Sequence, residues 1–458
     1  MKPIPVALGL DLGTSSLKAC LVTATGETVA SVRRPISMCS PRPGTMEQNS
    51  TEWISVMHQA VTVLLSSVTM PVNVAAIGLS GQVPTAVILD PSGRPLGPAI
   101  TWLDTRAEVL AASLLEDIGA DQGYDLTGTV LDGRYVGPMV RWAMGARPLR
   151  PDGIGHVMNA KDFVLYTLTG QVTTDLSTAP AMGAWDVREQ DWSPELLEIW
   201  SLRREWLPTV VGPETIVGPL RADVLPLPAG IPVCAGLADA LAALYGLEAV
   251  GAEPPVLLEG TSSAIMGVMA TPQLDPQRRY LVLPYAHGQY VWELDILTTG
   301  AAYAWFETLF GPGDVTGNPN EARPIIRWAM EAPRGAEGVR FTPYLGGGEQ
   351  GARWDPTLTG AATGIRLTTS RSHLARALIE GVFEEVGACL AAVGAVLGAH
   401  RALTLVSPWE APGPYAQWLA EYLHRPVVPL TLSHASAYGA ARLAWDALDG
   451  GHPALCPL

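Results

Sequence analysis

Basic side chains are scarce in this chain. Its 458 residues carry 29 Lys and Arg against 44 Asp and Glu, a formal net charge of −15. That balance argues against nucleic acid and anionic membrane surfaces as partners, because both recruit a basic face. Long apolar runs are missing too, so no membrane-spanning helix is expected even though 48% of the residues are hydrophobic. The opening MKPIPVALGLDLG enters a strand at once and lacks a signal-peptide apolar region followed by a small-residue cleavage site. Cysteine is rare: Cys20, Cys39, Cys234, Cys389 and Cys456, an odd number with no C-x-x-C spacing. A reducing, cytoplasmic setting is the expectation, with Cys20, Cys234 and Cys389 as small core residues. The eight histidines show no metal-ligand spacing. Short-period repeats and low-complexity tracts are lacking as well.

What is present is a tetrapeptide used twice. Gly-Thr-Ser-Ser occurs at Gly13–Ser16 and again at Gly260–Ser263. Apolar segments flank each copy, so each reads as strand, tight Gly turn, hydroxyl pair, strand. Such a hairpin turns backbone N–H groups and hydroxyls toward one point, which suits a phosphate. A lone copy would be only a turn. Two copies about half a chain apart suggest two related domains that clamp one polyphosphate, and the length also favours two domains.

Strands alternate with helices along the chain, which predicts an α/β fold with mixed sheets. Residues 4–34 read as three strands. A helix starts near Ser50 or Thr51 as cap. Pro208–Pro228, rich in Pro and Gly, reads as the crossing between domains, giving 1–229 and 230–458. A second run begins at Ile231 and passes through Gly236 into a helix from Asp239.

Three sets of polar residues stand out. Asp11, at a strand end beside a phosphate turn, would repel the phosphate unless Mg²⁺ lay between them. Lys18, on the return strand, is either a cation near the phosphates or a solvated side chain. Asp239 is the only acid in the apolar stretch 231–247, at a strand-to-helix junction. It is either a helix N-cap or a general base. Trp102, Asp104 and Arg106 follow a strand. They are either a surface ion pair with a neighbouring ring, or a polyol site in which Trp102 packs on the carbon face.

In this order these pieces resemble the FGGY carbohydrate kinases of the actin-like ATPase superfamily, and among them the xylulokinase branch. The resemblance covers essentially the whole chain. It includes GLDLGTSSLKACLV, MEQNSTEWIS, AIGLSGQVPTAVILDPSGRPLGPAITWLDTR, AKDFVLYTLTGQVTTDLS, PVCAGLADALAALYG, LLEGTSSAIMGV and GAATGIRLTTSRSHLARALIEGV. It implies an α/β fold of two actin-like (ribonuclease H-like) domains with a cleft between them. Residues 1–229 would form the sugar side with the first hairpin. Residues 230–458 would carry the catalytic Asp, the second hairpin and the nucleotide side. The implied reaction is ATP- and Mg²⁺-dependent phosphorylation of a hydroxyl on a small sugar or polyol. Asp239 becomes the catalytic base and Asp11 the Mg²⁺-side carboxylate. Gly13, Thr14, Ser15, Ser16, Lys18, Gly260, Thr261, Ser262 and Gly300 face the phosphates. Gln82, Val83, Trp102, Asp104, Arg106 and Asp239 lie toward the sugar. The oligomeric state stays open, a homodimer being one option.

The chain departs from the family pattern in several places. Ser407–Gly413 (SPWEAPG) stands where the family has a Gly-rich loop open to adenine, and Trp409 offers a face for base stacking or simply fills the gap. Poor selection among nucleoside triphosphates is therefore expected. Val83-Pro84 replaces Met-His, Met139 replaces a Lys, and Ala362 replaces a larger apolar residue. The chain also stops soon after its last helix, without the family's long C-terminal extension. The leading reading is a sugar or polyol kinase nearest to xylulokinase. The alternative is a catalytically weak or non-catalytic relative that binds a sugar and regulates a partner.

Overall fold

The computed structural model describes residues 2–116, 118–147, 149–252, 255–311, 323–407 and 414–449. The first strand, β1 (Ile4–Leu12), alternates large Val6, Leu8 and Leu10 with small Ala7 and Gly9. It pairs antiparallel with β2 (Ser16–Thr23), which pairs with β3 (Thr28–Pro35). Helix α1 (Ser50–Ser67) follows, and its cap is Asn49, one residue earlier than expected, whose side-chain Oδ1 accepts the Thr51 N–H at 3.1 Å. β4 (Val72–Gly81) returns parallel to β1. A small sheet of Glu47–Gln48, Ala99–Thr101, Thr85–Leu89 and His156–Met158 branches off here and leads to α2 (Ala160–Thr169).

The first sheet is completed by β5 (Ile216–Pro219), β6 (Pro232–Cys234) and β7 (Leu237–Ala238). Pro208–Pro228 is thus more than a crossing, since it holds a strand of this sheet. Residues 231–238, read from sequence as opening the second half, hydrogen-bond to β5 and β4 of the first. Then come α3 (Asp239–Ala249) and the second sheet: β8 (Val256–Glu259), β9 (Ser263–Met269), β10 (Leu281–Pro284), β11 (Tyr290–Ile296), β12 (Leu403–Val406) and β13 (Val427–Pro429). Both sheets follow one plan. A hairpin, β1–β2 or β8–β9, gains a parallel neighbour on its first strand, β4 or β12, and then a second one, β6 or β13.

The layers follow from which face is apolar. α1 and α2 cover the large-residue face of the first sheet, burying Leu8, Leu10, Ile77 and Leu79. α4 (Gly300–Phe310) and α5 (Arg371–Leu397) cover the outer face of the second, over Trp292, Leu294 and Ile296. Between the sheets lie α3 and α6 (Ala435–Leu448). One core there joins Ala7 and Ala76 of the first sheet, Leu241 and Ala441 of the helices, and Met266 and Val291 of the second sheet.

This middle layer depends on bare backbone. A Cβ on Gly9 would lie 1.9 Å from the Ala437 carbonyl oxygen, one on Gly78 1.8 Å from that of Ala440, and one on Gly439 1.8 Å from that of Ala242. Only glycine permits such approach. Cys20, Cys234 and Cys389 are core residues, as expected, and Cys39 is exposed. Met139 is buried in the core of its helix. Among the described residues no helix is long and apolar enough to cross a membrane.

Candidate functional site

The carboxyl ends of three neighbouring strands lie side by side. Asp11 of β1 is opposite Ser80 of β4, Ser80 is opposite Leu237 of β7, and Gly81 is opposite Ala238. The next residue is Asp239. Ligands of open α/β sheets bind at such carboxyl edges. The helix cap is the extended Ala238, so Asp239 is not the N-cap but the first residue inside α3. Its Oδ1 accepts the Ala240 N–H at 3.0 Å. The side chain keeps partial exposure. Burial, together with the negative charge of Asp11, lifts its carboxyl to about 7, with Lys18 opposing. Glu293, on β11 of the second sheet, also interacts with the charge of Asp239. Groups from both sheets therefore converge on this carboxyl.

Asp11 is fully buried. Its Oδ2 accepts from Lys18 Nζ at 2.9 Å and its Oδ1 from Ser80 Oγ at 3.0 Å. The Lys18 ammonium lies over the hairpin turn, where a Cβ on Gly13 would sit 3.8 Å from it. Lys18 is thus held at the first hairpin turn by Asp11, and that carboxylate raises its pKa. Among the described residues no three His, Cys, Asp or Glu side chains gather to hold a metal ion. The donors present, Asp11 with Asp239 close by, suit Mg²⁺ carried mainly by phosphate oxygens and water with one or two carboxylates. Asp11→Ala should accordingly raise the Mg²⁺ concentration needed for half-maximal activity severalfold. Superimposable Mg²⁺ titrations of variant and wild type would mark the carboxylate as structural.

The two hairpins differ. The first closes over four residues, Gly13 N–H donating to Ser16 O at 3.1 Å, and the second over three, Gly260 N–H donating to Ser262 O at 2.8 Å. In the first, Thr14 Oγ1 accepts from Trp102 Nε1 at 2.9 Å and Ser16 Oγ from Arg33 Nε at 2.9 Å, while Ser15 is exposed. Arg33, opposite Lys18 on β3, escaped the sequence reading. Only placement of the third strand brings it to the turn. In the second hairpin Thr261 is exposed, Ser262 half-buried, and Ser263 Oγ meets Thr299 Oγ1 at 2.7 Å. Gly300 lies against the second hairpin. Its N–H donates to Gly260 O at 3.2 Å, and that of Ala301 to Thr261 O at 3.0 Å, so the start of α4 braces the hairpin.

Among the residues expected to face the sugar, Gln82 is fully buried and its Nε2 donates to Gln48 Oε1 at 2.7 Å. Gln48 Nε2 in turn donates to Thr14 O at 2.6 Å, linking this side to the first hairpin. The Gln82 side-chain Oε1 is buried without a partner among the described residues. Asp104 and Arg106 are not a surface pair. Asp104 is buried, accepting from Met46 N–H at 2.8 Å and from Arg106 Nε at 2.9 and 3.0 Å. Arg106 also reaches Glu47 Oε1 at 2.5 Å and stacks 4.1 Å from the centre of the Trp142 ring. Trp102 is tied through its indole N–H to Thr14. Val83 and Pro84 are half-buried beside Gln82. Trp409, with the rest of 408–413, lies outside the described residues.

Residues 6–246 match the model of the FGGY family of carbohydrate kinases, N-terminal domain, and residues 257–448 match that of its C-terminal domain. The chain belongs to the FGGY family. This FGGY kinase is 29% identical over 442 residues to xylulose kinase of Escherichia coli strain K12, spanning 95% of this chain and 89% of that one. It is 25% identical over 384 residues to gluconokinase of Bacillus subtilis strain 168, spanning 82% and 74%. The crystal structure of xylulose kinase from Rhodospirillum rubrum matches it with a TM-score of 0.88 at 27% identity, covering 98% of this chain and 91% of that one. The FGGY kinase is thus a carbohydrate phosphotransferase with the two-domain actin-like ATPase fold.

Proposed function

We propose that this FGGY kinase transfers the γ-phosphate of ATP to a hydroxyl of a small neutral sugar or polyol, with Asp239 accepting the hydroxyl proton. Asp239 itself carries the reading. It stands at the carboxyl edge of the first sheet, has Asp11 of that sheet and Glu293 of the second as acidic neighbours, and has a carboxyl raised to about 7. A base that titrates near the working pH is suited to this transfer. Lys18 and Arg33 at the first hairpin supply cationic donors for phosphate oxygens. Mg²⁺, when bound near Asp11, would neutralise charge on those oxygens. Closure of the two halves over the acceptor would keep water from the phosphate.

The choice of a neutral acceptor rests on the second sheet. Glu293 and Asp295 lie two apart on β11, so they share the face opposite core residues Trp292, Leu294 and Ile296. Glu293 is only 7% exposed, and its Oε2 has no partner among the described residues. Burial pushes both carboxyls up, Asp295 to about 6, and Glu293 is hydrogen-bonded to Asp295. The nearby Arg134 is already paired with Asp132, whose Oδ2 accepts from Arg134 Nε at 2.9 Å. A sugar acid would bring a further carboxylate to this acidic surround, whereas neutral hydroxyls can donate to it.

The test is an acceptor panel of D-xylulose, D-ribulose, glycerol, myo-inositol and D-gluconate with ATP and Mg²⁺. The kcat/KM for D-gluconate should fall at least about tenfold below that of the best neutral acceptor, the scale of one unfavourable polar contact. With Val83-Pro84 in place of an imidazole, D-xylulose should trail another neutral acceptor. Gluconate as the best acceptor would overturn the neutral-acceptor reading.

A further inference from the structure

Behind the reacting groups, one cation is wholly enclosed. Lys161, in the first turn of α2, has no exposed surface. Its Nζ lies 3.0 Å from Asp162 Oδ1, 2.8 Å from Asp175 Oδ2 and 3.0 Å from the Ala235 carbonyl oxygen. The other oxygen of Asp175 accepts from Ser177, through its hydroxyl and through its N–H at 2.8 Å. The Ser177 hydroxyl oxygen then accepts the N–H of Ala238 at 3.0 Å. Ala235 and Ala238 bracket the turn that delivers Asp239. Inside that turn Gly236 has φ +89°, and a Cβ there would fall 2.0 Å from the Leu79 carbonyl oxygen. The turn is therefore gripped at both ends by one buried network and pressed against β4 between them.

We propose that Lys161, Asp175 and Ser177 are positioning residues that fix the 235–238 turn and so aim the Asp239 carboxylate. The inference rests on Asp239 being the base. Net stability is a weak reason for such a network, because the desolvation of a buried ammonium with two carboxylates can cancel their attraction. Direction is a better reason. A charged network ties a carbonyl and an N–H at defined points, which apolar packing cannot do. Proton abstraction is sensitive to that placement, and misplacement of about 1 Å can lower a rate on the order of a hundredfold.

The decisive variant is Ser177→Ala, which removes one hydroxyl and leaves the ion pairs intact. It is assayed in the full chain with ATP, Mg²⁺ and whichever of D-xylulose, glycerol or myo-inositol is phosphorylated fastest, beside Lys161→Met and Asp239→Asn. Ser177→Ala should lower kcat about tenfold, leave the acceptor KM within about twofold, and move the acidic limb of the kcat/KM profile to lower pH as Asp239 becomes better solvated. Lys161→Met should lower kcat further. If it fails to fold, Ser177→Ala decides alone. A folded Ser177→Ala enzyme with wild-type kcat and an unshifted acidic limb overturns the inference, even if its melting temperature falls. Wild-type turnover by Asp239→Asn would remove the base, and the inference with it, while a silent Ser177→Ala beside an inactive Asp239→Asn rejects the positioning role only.

Discussion

Asp239→Asn should yield a folded enzyme that still binds its substrates but has lost on the order of 10²- to 10⁴-fold in kcat, the usual loss with a general base. The amide has the same shape, and its oxygen can still accept the Ala240 N–H that Asp239 Oδ1 accepts now. What it cannot do is take a proton. The wild-type pH profile should agree. Burial and Asp11 raise the carboxyl to about 7, so the group is neutral below that pH and ionised above it. The value of kcat/KM should therefore rise as pH climbs through about 7. Removing the charge of Asp11 with Asp11→Asn should slide that limb to lower pH. The same shift bears on stability. A carboxyl raised in the folded state opposes folding once it ionises, so its unfavourable contribution grows from the ordinary Asp range up to about 7. Asp239→Asn should thus melt no lower than wild type at pH 8. A coupled kinase assay and a thermal melt suffice, and near wild-type turnover would remove Asp239 from the mechanism.

Gly439→Val should have the largest effect on folding. The added Cβ would meet the Ala242 carbonyl oxygen at 1.8 Å, and Ala242 belongs to α3, which carries Asp239. Neither partner is a flexible side chain, so whole helices must separate. Overpacking alone costs about 1–3 kcal/mol, and a backbone collision that cannot relax lies above that range. Low soluble yield or a melting temperature many degrees below wild type is the expected result. Gly145→Ala is the control, since nothing lies within 4 Å of a Cβ there. Wild-type stability of Gly439→Val would show that α3 and α6 do not cross as described.

The α/β fold and the family were legible in the sequence, through strands alternating with helices and motifs that stand in order. Asp11, Asp239 and the paired hairpins were legible as candidates because each sits in a short segment whose pattern is local. Glu293 and Asp295 were not, for a single acid in an apolar strand gives no signal until the neighbouring strands show which face it takes. Arg33 and Gln48 needed the same information, since their partners lie in other segments of the chain. The pairing of residues 216–238 with the first sheet was not legible because β5, β6 and β7 are short, and their pairing with each other and with distant β4 leaves no periodicity to read. The hydrogen bonding of Gly300 was not legible for another reason. Its place in the motif was evident, but which partner its N–H serves depends on where the second hairpin ends.

The helix at 435–448 also bears on how the protein is made. Tyr438, Arg442 and Trp445 donate to the carbonyls of Gly26, Ala24 and Val22, at 3.0, 2.7 and 2.9 Å. A helix some 400 residues downstream thus closes the sheet that starts at residue 4. Until then the small-residue face of β1 and β4 has no cover, and the nascent N-terminal half cannot finish folding ahead of the rest, as a self-contained domain would. A messenger truncated before residue 435 would release a chain with that face bare, prone to association or to capture by chaperones. Synthesis must therefore pass residue 445 before the first sheet is covered on both faces.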